Sequence, residues 1–328
     1  MSSQTASIIS KATQSKKKYN ILTFDTHERY QTQQCKTGHN FFSFQYEGCK
    51  EWDKNYAQMP DNYFQLPKNT LAGGIDFDFI LSHSKFGQFQ MAYKVNQSLR
   101  LPMISLEHTL PIPNWPQNQL DGFRSMTGDI NVFISEYSTG KWNMNCDNRV
   151  IHHSVDTESF KPSEVERKSH VLSVANDFIN RDYCLNYSGW QRITKDLPVR
   201  VVGNTPGLSE AAKDTDDLIR EYQESSVFLN TSTISPVPMS LLEAMSCGCA
   251  VVSTATCMIP EIIENGVNGY LSNDESELRS YTEELLSNQD LCKSMGEKAR
   301  QTIIDRFSEE NFINNWNETF DLAYRMKK

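Results

Sequence analysis

Short apolar runs alternate with longer polar stretches along most of the chain. The polar stretches 28–36 and 216–224 have the composition of exposed helices, and the apolar runs are rich in β-branched and aromatic residues. Continuous runs of this kind are typical of strands buried on both faces of a parallel sheet. The pattern therefore predicts an α/β protein in which helices pack on parallel sheets. The predicted strands are 21–24, 41–44, 77–82, 102–106, 171–174, 199–202, 227–229 and 250–253.

The segment from 235 to 271, SPVPMSLLEAMSCGCAVVSTATCMIPEIIENGVNGYL, predicts a short helix, a buried strand and two glycine turns. Leu242 and Met245 lie at helical spacing, and Gly248 follows where helices commonly end in a left-handed residue. Prolines precede the helix, so its first N–H groups, at Met239 and Ser240, have no partner within the helix. Because such N–H groups bind anions, we expect a diphosphate at this helix end.

This segment resembles the retaining nucleotide-sugar glycosyltransferases of family 4, which have the GT-B fold. Their donor motif consists of two glutamates separated by seven residues, followed by Ala-Met and a glycine, and Glu243 with the following Ala-Met and Gly248 matches its second half. The resemblance implies that Glu243 binds the ribose hydroxyls of the donor. Ser235 stands at the first glutamate, which in the family lies by the sugar, so nucleotide binding is better supported than rapid sugar transfer. Glu261 resembles the glutamate of the family's Pro-Glu pair.

Two further donor residues follow the predicted strand 171–174. In the family an arginine and then a lysine lie there and meet the donor diphosphate, and here Asn176 and Arg181 stand at these positions. Arg181 keeps the positive charge, and its planar guanidinium suits phosphate oxygens. The alternative for Arg181 is a surface ion pair with Asp177 or Asp182.

Histidines follow two predicted strands, at the edge of the sheet where open α/β folds bind ligands. His108 comes after 102–106 and resembles a family histidine that lies near the donor sugar, whereas His83 comes after 77–82. The alternative for both is a histidine that is hydrogen-bonded in a loop. The resemblance implies catalytic roles for His108, Arg181 and Ser235.

No metal site is expected. Asp76 and Asp78 have the Asp-x-Asp form of metal-dependent transferases of the other major fold, GT-A, but they precede their strand and should lie at the edge opposite the ligand. The histidines lack metal-ligand spacing. The eight cysteines include no Cys-x-x-Cys pair, which favours reduced thiols and a cytoplasmic protein.

The resemblance covers residues 19–324 and implies two Rossmann-like domains whose sheets face each other across a cleft. The interdomain passage of the family resembles the stretch around Val155, Asp156 and Phe160. The predicted divisions are a disordered arm at 1–18, an acceptor-side domain at 19–155, a nucleotide-sugar-binding domain at 156–308, and a terminal helix at 309–328 that packs on the first domain.

Composition limits the partners. The net charge is −9, and residues 1–150 carry 15 Lys and Arg against 13 Asp and Glu. This balance argues against broad binding of a phosphate backbone, and leaves a nucleic acid acceptor open but unsupported. No run approaches a membrane span. A weak peripheral membrane contact stays open.

The sequence thus predicts a metal-independent, retaining transferase that uses a nucleotide diphosphate sugar, with a glycan or lipid-linked glycan as acceptor and no cofactor. Three alternatives remain: a catalytically degenerate nucleotide- or sugar-binding module, a sugar-nucleotide epimerase, and a transferase that acts on DNA bases. Ser235 and Asn176 favour the degenerate module, because both replace charged family residues.

Overall fold

The computed structural model describes residues 17–54, 57–112 and 114–327. Most of the predicted arm at 1–18 lies outside the described residues. The first sheet has the strand order β3-β2-β1-β4-β5-β6-β7. Its strands are β1 (Asn20–Thr23), β2 (Asn40–Ser43), β3 (Tyr63–Gln65), β4 (Phe79–Ser82), β5 (Met103–Glu107), β6 (Ile130–Phe133) and β7 (Asn148–Val150). The helices along this half are α1 (Glu28–Cys35), α2 (Gln88–Leu99), α3 (Gln117–Arg124) and α4 (Glu136–Trp142).

The second sheet has the order β12-β11-β10-β8-β9. Its strands are β8 (Lys168–Val174), β9 (Val199–Val202), β10 (Ser225–Asn230), β11 (Ala250–Ser253) and β12 (Tyr270–Leu271). Helices α5 (Asp182–Leu185) and α6 (Tyr187–Ile193) connect β8 to β9, and α7 (Thr215–Glu224) connects β9 to β10. The remaining helices are α8 (Met239–Ser246), α9 (Ile259–Ile262), α10 (Glu275–Ser287), α11 (Gln289–Arg306) and α12 (Glu309–Met326).

The prediction of an α/β fold with two parallel sheets is confirmed. The strand pairs of the second sheet are parallel, as are those that join β1 to β2 and β4 in the first sheet. The run 250–253 forms a strand with every residue buried, and the other predicted strands agree within a few residues. The sequence analysis did not identify strands β3, β6 and β7, nor helices α2 to α6 and α9 to α11.

Glycines let the elements around α8 approach closely. Gly248 follows α8 with a φ of 80°, the left-handed conformation that the sequence predicts for it. A Cβ on Gly296 of α11 would lie 2.2 Å from the carbonyl oxygen of Gly248, so only glycine permits α11 to pack this close. This close packing holds α8 against β11. Leu241, Ala244 and Met245 of α8 are fully buried in the core of the second unit.

The chain divides into two compact units. Among the described residues, the first comprises 17–54, 57–107, 126–131 and 316–327, and the second comprises 108–112, 114–125 and 132–315. These bounds differ from the predicted division at 155, since residues 132–155 group with the second unit. Two contacts explain this grouping: the Val155 N–H donates to the Phe307 carbonyl, and residues at the start of α4 bond Glu261.

Helix α12 supplies aromatic side chains to the core. Phe312, Trp316 and Phe320 are buried, as the spacing of about four residues predicts. From Trp316 onward the helix belongs to the first unit, where the Trp316 indole N–H donates to the Tyr30 hydroxyl at 3.1 Å and Phe320 stacks on Phe79. No helix among the described residues is both long and apolar enough to cross a membrane.

The two aspartates of the Asp-x-Asp pair form hydrogen bonds and ion pairs within the first unit. Asp78 accepts a hydrogen bond from the Asn20 N–H at 2.9 Å, and Lys327 bonds Asp76 and Asp78 at 3.1 and 3.4 Å. Both aspartates precede β4, so they lie at the amino edge of the sheet, as expected. No group of metal-ligating side chains occurs within the described ranges. All eight cysteines are free thiols.

The buried His83 at the end of β4 gives stability a pH dependence. Burial, followed by the charge of nearby His27, lowers the pKa of His83 to about 3. As the pH falls below about 6.5, the ordinary pKa of histidine, His83 takes up a proton in the unfolded chain but not in the native state. The free energy of unfolding therefore decreases as the pH is lowered from about 6.5 towards 3. Between pH 7 and pH 5, His83 should cost about 2 kcal/mol of the free energy of unfolding.

Urea unfolding of the wild type and of His83→Gln at pH 7 and pH 5 tests this expectation. The variant should lose about 2 kcal/mol less than the wild type on acidification. Equal losses in the two proteins would contradict the assignment of this pH dependence to His83.

Candidate functional site

The second sheet has its topological switch point between β8 and β10. Strand β8 pairs with β9 on one side and with β10 on the other, and all three strands are parallel. Ligands of open α/β sheets bind in the crevice outside the carboxyl ends of strands at such a point. The loop after β8 contains Asn176 and Arg181, and the segment after β10 contains Ser235. The topology therefore brings these three predicted residues to one crevice.

The loop after β8 is fixed against the end of β9. A Cβ on Gly203 would lie 2.0 Å from the Ala175 carbonyl oxygen, so the close approach of these segments requires glycine. The Asn176 side-chain oxygen accepts the Asn204 N–H at 2.8 Å, and the Asp177 N–H donates to the Asn204 carbonyl at 2.8 Å. The side-chain oxygen of Asn176 thus holds the loop.

Arg181 presents an exposed guanidinium at this crevice. The two carboxylates that could have paired with it bond other groups: Asp177 accepts from the Asn180 amide at 2.6 Å, and Asp182 accepts from the Ser188 N–H at 2.7 Å and from its hydroxyl. Across residues 17–54, 57–112 and 114–327, no hydrogen bond or ion pair engages the Arg181 guanidinium. This cation is therefore available to an anion.

Helix α5 ties Arg181 to the segment that contains Ser235. The Cys184 carbonyl oxygen accepts the N–H groups of Thr233 at 2.8 Å and Ile234 at 3.2 Å. Cys184 lies three residues after Arg181, and Thr233 lies two residues before Ser235. These bonds place α5, whose N-cap residue is Arg181, beside the chain that leads into α8.

Helix α8 begins at Met239 with Pro238 as its N-cap, and no side chain caps it. The first intrahelical bonds are donated by Leu241 and Leu242 to the Pro238 carbonyl, so the N–H groups of Met239 and Ser240 precede the helical hydrogen-bond pattern. The helix dipole adds a partial positive charge at this end. Together with Arg181, the helix end gives the crevice a positive character suited to a diphosphate.

Glu243 lies one turn further along α8 and is 7% exposed. Its Oε2 accepts a hydrogen bond of 2.9 Å from the hydroxyl of Tyr222, which is fully buried at the end of α7. Burial, and then the neighbouring Glu243 carboxylate, raise the pKa of Tyr222 well above its ordinary value. The tyrosine therefore stays protonated and acts as the donor.

The surroundings of Ser235 and Glu261 involve residues from other segments of the second unit. Two residues before Ser235, the Thr233 carbonyl oxygen accepts a hydrogen bond of 3.8 Å from the thiol of Cys257, a residue with a left-handed φ of 50°. The Glu261 carboxylate accepts the N–H of Glu136 at 3.2 Å and that of Tyr137, so it caps the start of α4. The structure thus engages Glu261 with the backbone of α4.

His108 follows β5 and is 8% exposed, with its ring centroid 5.9 Å from that of His153. Its role near the donor sugar stays a prediction. Sequence reasoning missed Tyr222, the partner of Glu243. Tyr222 looks like an ordinary apolar position of α7, and only the fold shows what its hydroxyl meets.

Comparison with known proteins agrees with this geometry. Residues 211–302 match the family model described as "Glycosyl transferases group 1". An N-acetyl-alpha-D-glucosaminyl L-malate synthase of Bacillus anthracis is 31% identical over 103 residues, which are 31% of this chain and 27% of that protein. An uncharacterised glycosyltransferase of Methanocaldococcus jannaschii is 24% identical over 275 residues, or 77% of each chain. The chain thus spans about a quarter of the length of the synthase.

A solved structure shows the same fold. HepE of Anabaena in complex with UDP superposes with a TM-score of 0.73 at 14% identity, over 93% of this chain and 100% of that one. The fold of this chain is GT-B, the fold of its structural neighbours. The segment that matches the glycosyltransferase group 1 model lies in its second unit. That segment includes the five predicted residues Ser235, Met239, Ser240, Glu243 and Glu261, whereas His108, Asn176 and Arg181 lie outside it.

Proposed function

We propose that this protein is a glycosyltransferase that moves a sugar from a nucleoside diphosphate sugar to an acceptor, with retention of anomeric configuration, as a family 4-like enzyme. The observation that carries the proposal is the exposed guanidinium of Arg181, the N-cap residue of α5, a helix that bonds the segment entering α8 through the Cys184 carbonyl. A cation next to free helical N–H groups suits a diphosphate leaving group, on which negative charge grows as the bond to the sugar breaks.

Six of the eight predicted residues have a role in this proposal. The diphosphate binds Arg181 and the N–H groups of Met239 and Ser240, while the Glu243 carboxylate accepts hydrogen bonds from the ribose hydroxyls. As the bond between the anomeric carbon and the diphosphate oxygen breaks, the acceptor hydroxyl oxygen bonds the same face of the sugar, and the departing diphosphate oxygen takes the hydroxyl proton. His108 orients the sugar, and Ser235 offers a hydroxyl where the family has a carboxylate.

The nucleotide and the acceptor follow from weaker support. HepE of Anabaena is known in complex with UDP, so uracil is the first base to test. We propose a glycan or lipid-linked glycan as acceptor, reached if necessary through a weak membrane contact. The eight free thiols agree with a reducing compartment, so we place the reaction in the cytoplasm.

A second candidate is a nucleotide-binding module without transferase activity. Ser235 cannot supply the negative charge of the family's first glutamate, and the Asn176 oxygen is engaged by the Asn204 N–H. Both features reduce stabilisation of the transition state more than they reduce affinity for the nucleotide. A module of this kind would bind a nucleoside diphosphate without releasing it from any sugar donor.

Slow donor hydrolysis separates the two candidates. The purified protein is incubated with UDP-, GDP- and ADP-sugars, once in the presence of EDTA and once with added Mg²⁺. Release of the nucleoside diphosphate is followed by mass spectrometry. Because Arg181 and α8 supply positive charge to the leaving group, we expect release from one donor class, changed less than twofold by EDTA. Release that requires Mg²⁺ would contradict metal independence, and binding without release would favour the module.

A further inference from the structure

Tyr222 meets Glu243 inside the second unit, although the two residues lie on different helices. The tyrosine is fully buried at the end of α7, and its hydroxyl lies 2.9 Å from Oε2 of Glu243 on α8. A buried hydroxyl without a partner is costly, so a fully buried tyrosine hydroxyl needs an acceptor. The carboxylate of Glu243 supplies it.

The position of the Tyr222 hydroxyl is fixed from several directions. Its ring packs beside Phe160 and Phe228, with centroid distances of 6.2 and 6.1 Å. Its backbone carbonyl accepts hydrogen bonds from the Arg167 guanidinium and the Cys249 thiol, both at 3.1 Å. The packed ring and the bonded backbone thus hold the fully buried Tyr222 in place, and its hydroxyl bonds the Glu243 carboxylate.

We infer that Tyr222 is a positioning residue that holds the Glu243 carboxylate ready for the ribose of the donor, an inference that rests on the proposed function. A glutamate side chain has three rotatable bonds, and ordering it on binding lowers affinity. Tyr222 orders the carboxylate in the free protein. A carboxylate has about four acceptor sites, so the bond from Tyr222 is compatible with further bonds from ribose hydroxyls.

The test compares nucleotides with and without ribose hydroxyls. Titration calorimetry first identifies which of UDP, GDP and ADP the wild type binds best, and then measures that nucleotide and its 2′,3′-dideoxy form with Tyr222→Phe. The variant keeps the packed ring and loses only the hydroxyl. We expect binding of the ribonucleotide to weaken about five- to tenfold and binding of the dideoxy form to change less than twofold.

Two controls make the result specific. Tyr281→Phe, on the ring that stacks on Tyr270, should bind both nucleotides as the wild type does. In a Glu243→Ala background, adding Tyr222→Phe should cause no further loss, because the carboxylate that it positions is gone.

The outcomes decide separately on the inference and on the proposed function. Suppose that Tyr222→Phe weakens the binding of both nucleotides equally, or of neither, while Glu243→Gln weakens only the binding of the ribonucleotide. The positioning role of Tyr222 is then wrong, and the donor site stands. If the wild type binds none of the three nucleotides, the proposed function fails and the inference fails with it.

Discussion

Replacing Arg181 with alanine is expected to lower the turnover of donor about a hundredfold or more, equivalent to about 3 kcal/mol of transition-state stabilisation. The guanidinium is exposed, and Arg181 begins α5, which bonds the segment that leads into α8, the place where we propose that charge develops on the leaving diphosphate. Because that charge is largest in the transition state, kcat should fall more than KM rises. Initial rates of nucleoside diphosphate release across a donor concentration series measure both constants.

The matched control for this variant is Arg192→Ala. Arg192 is an exposed arginine of α6 that pairs with Glu275 at 2.7 Å, and exposed pairs contribute little to stability. It should keep wild-type kinetics, and both variants should melt near the wild-type temperature. A kcat for Arg181→Ala within a factor of three of the wild type would remove the residue from the diphosphate site.

Replacing Glu243 with glutamine is expected to weaken binding of the nucleoside diphosphate about tenfold or more. A hydrogen bond to a charged group contributes about 1.5–3 kcal/mol, and glutamine keeps the shape but not the charge. The amide oxygen of the substituted side chain would still accept from Tyr222, so the fold should persist. Glu243→Ala should weaken binding similarly, and should also destabilise the protein by about 1–3 kcal/mol because the buried Tyr222 hydroxyl loses its acceptor.

Calorimetric titration measures the affinities, and urea unfolding measures the stabilities. Glu224→Gln serves as the control, since Glu224 lies on α7 and bonds the exposed Lys168 at the surface. Its affinity for the nucleotide should equal that of the wild type. Unchanged affinity in both Glu243 variants would show that the carboxylate does not bind the ribose.

The sequence predicts the sheets because their strands are buried on both faces. Ala250–Ser253 reads as a continuous apolar run, and the structure buries all four residues. The left-handed residue after α8 is also predictable, because Gly248 is the residue type that this conformation favours. Strand β3 was not predicted because it lacks such a run: Tyr63 is buried, but the two residues after it are exposed.

The partners of the candidate residues were beyond sequence reasoning, because each depends on how separate elements pack. Sequence spacing alone places the carboxylates of Asp177 and Asp182 within reach of Arg181. In the folded protein, however, Asp182 accepts a hydrogen bond from Ser188. Likewise, Glu261 reads as a donor residue, whereas the fold brings it to the backbone of α4. Spacing along a chain gives residue types and local order; it does not give contacts between helices.

The central claim is that the donor diphosphate binds where Arg181 and the start of α8 meet the carboxyl ends of β8 and β10. A crystal structure of the protein with its best-binding nucleoside diphosphate tests this claim most directly. The account predicts phosphate oxygens within hydrogen-bond distance, about 3 Å, of the Arg181 guanidinium and of the N–H groups of Met239 or Ser240. A nucleotide bound elsewhere, with Arg181 still in solvent, would contradict it.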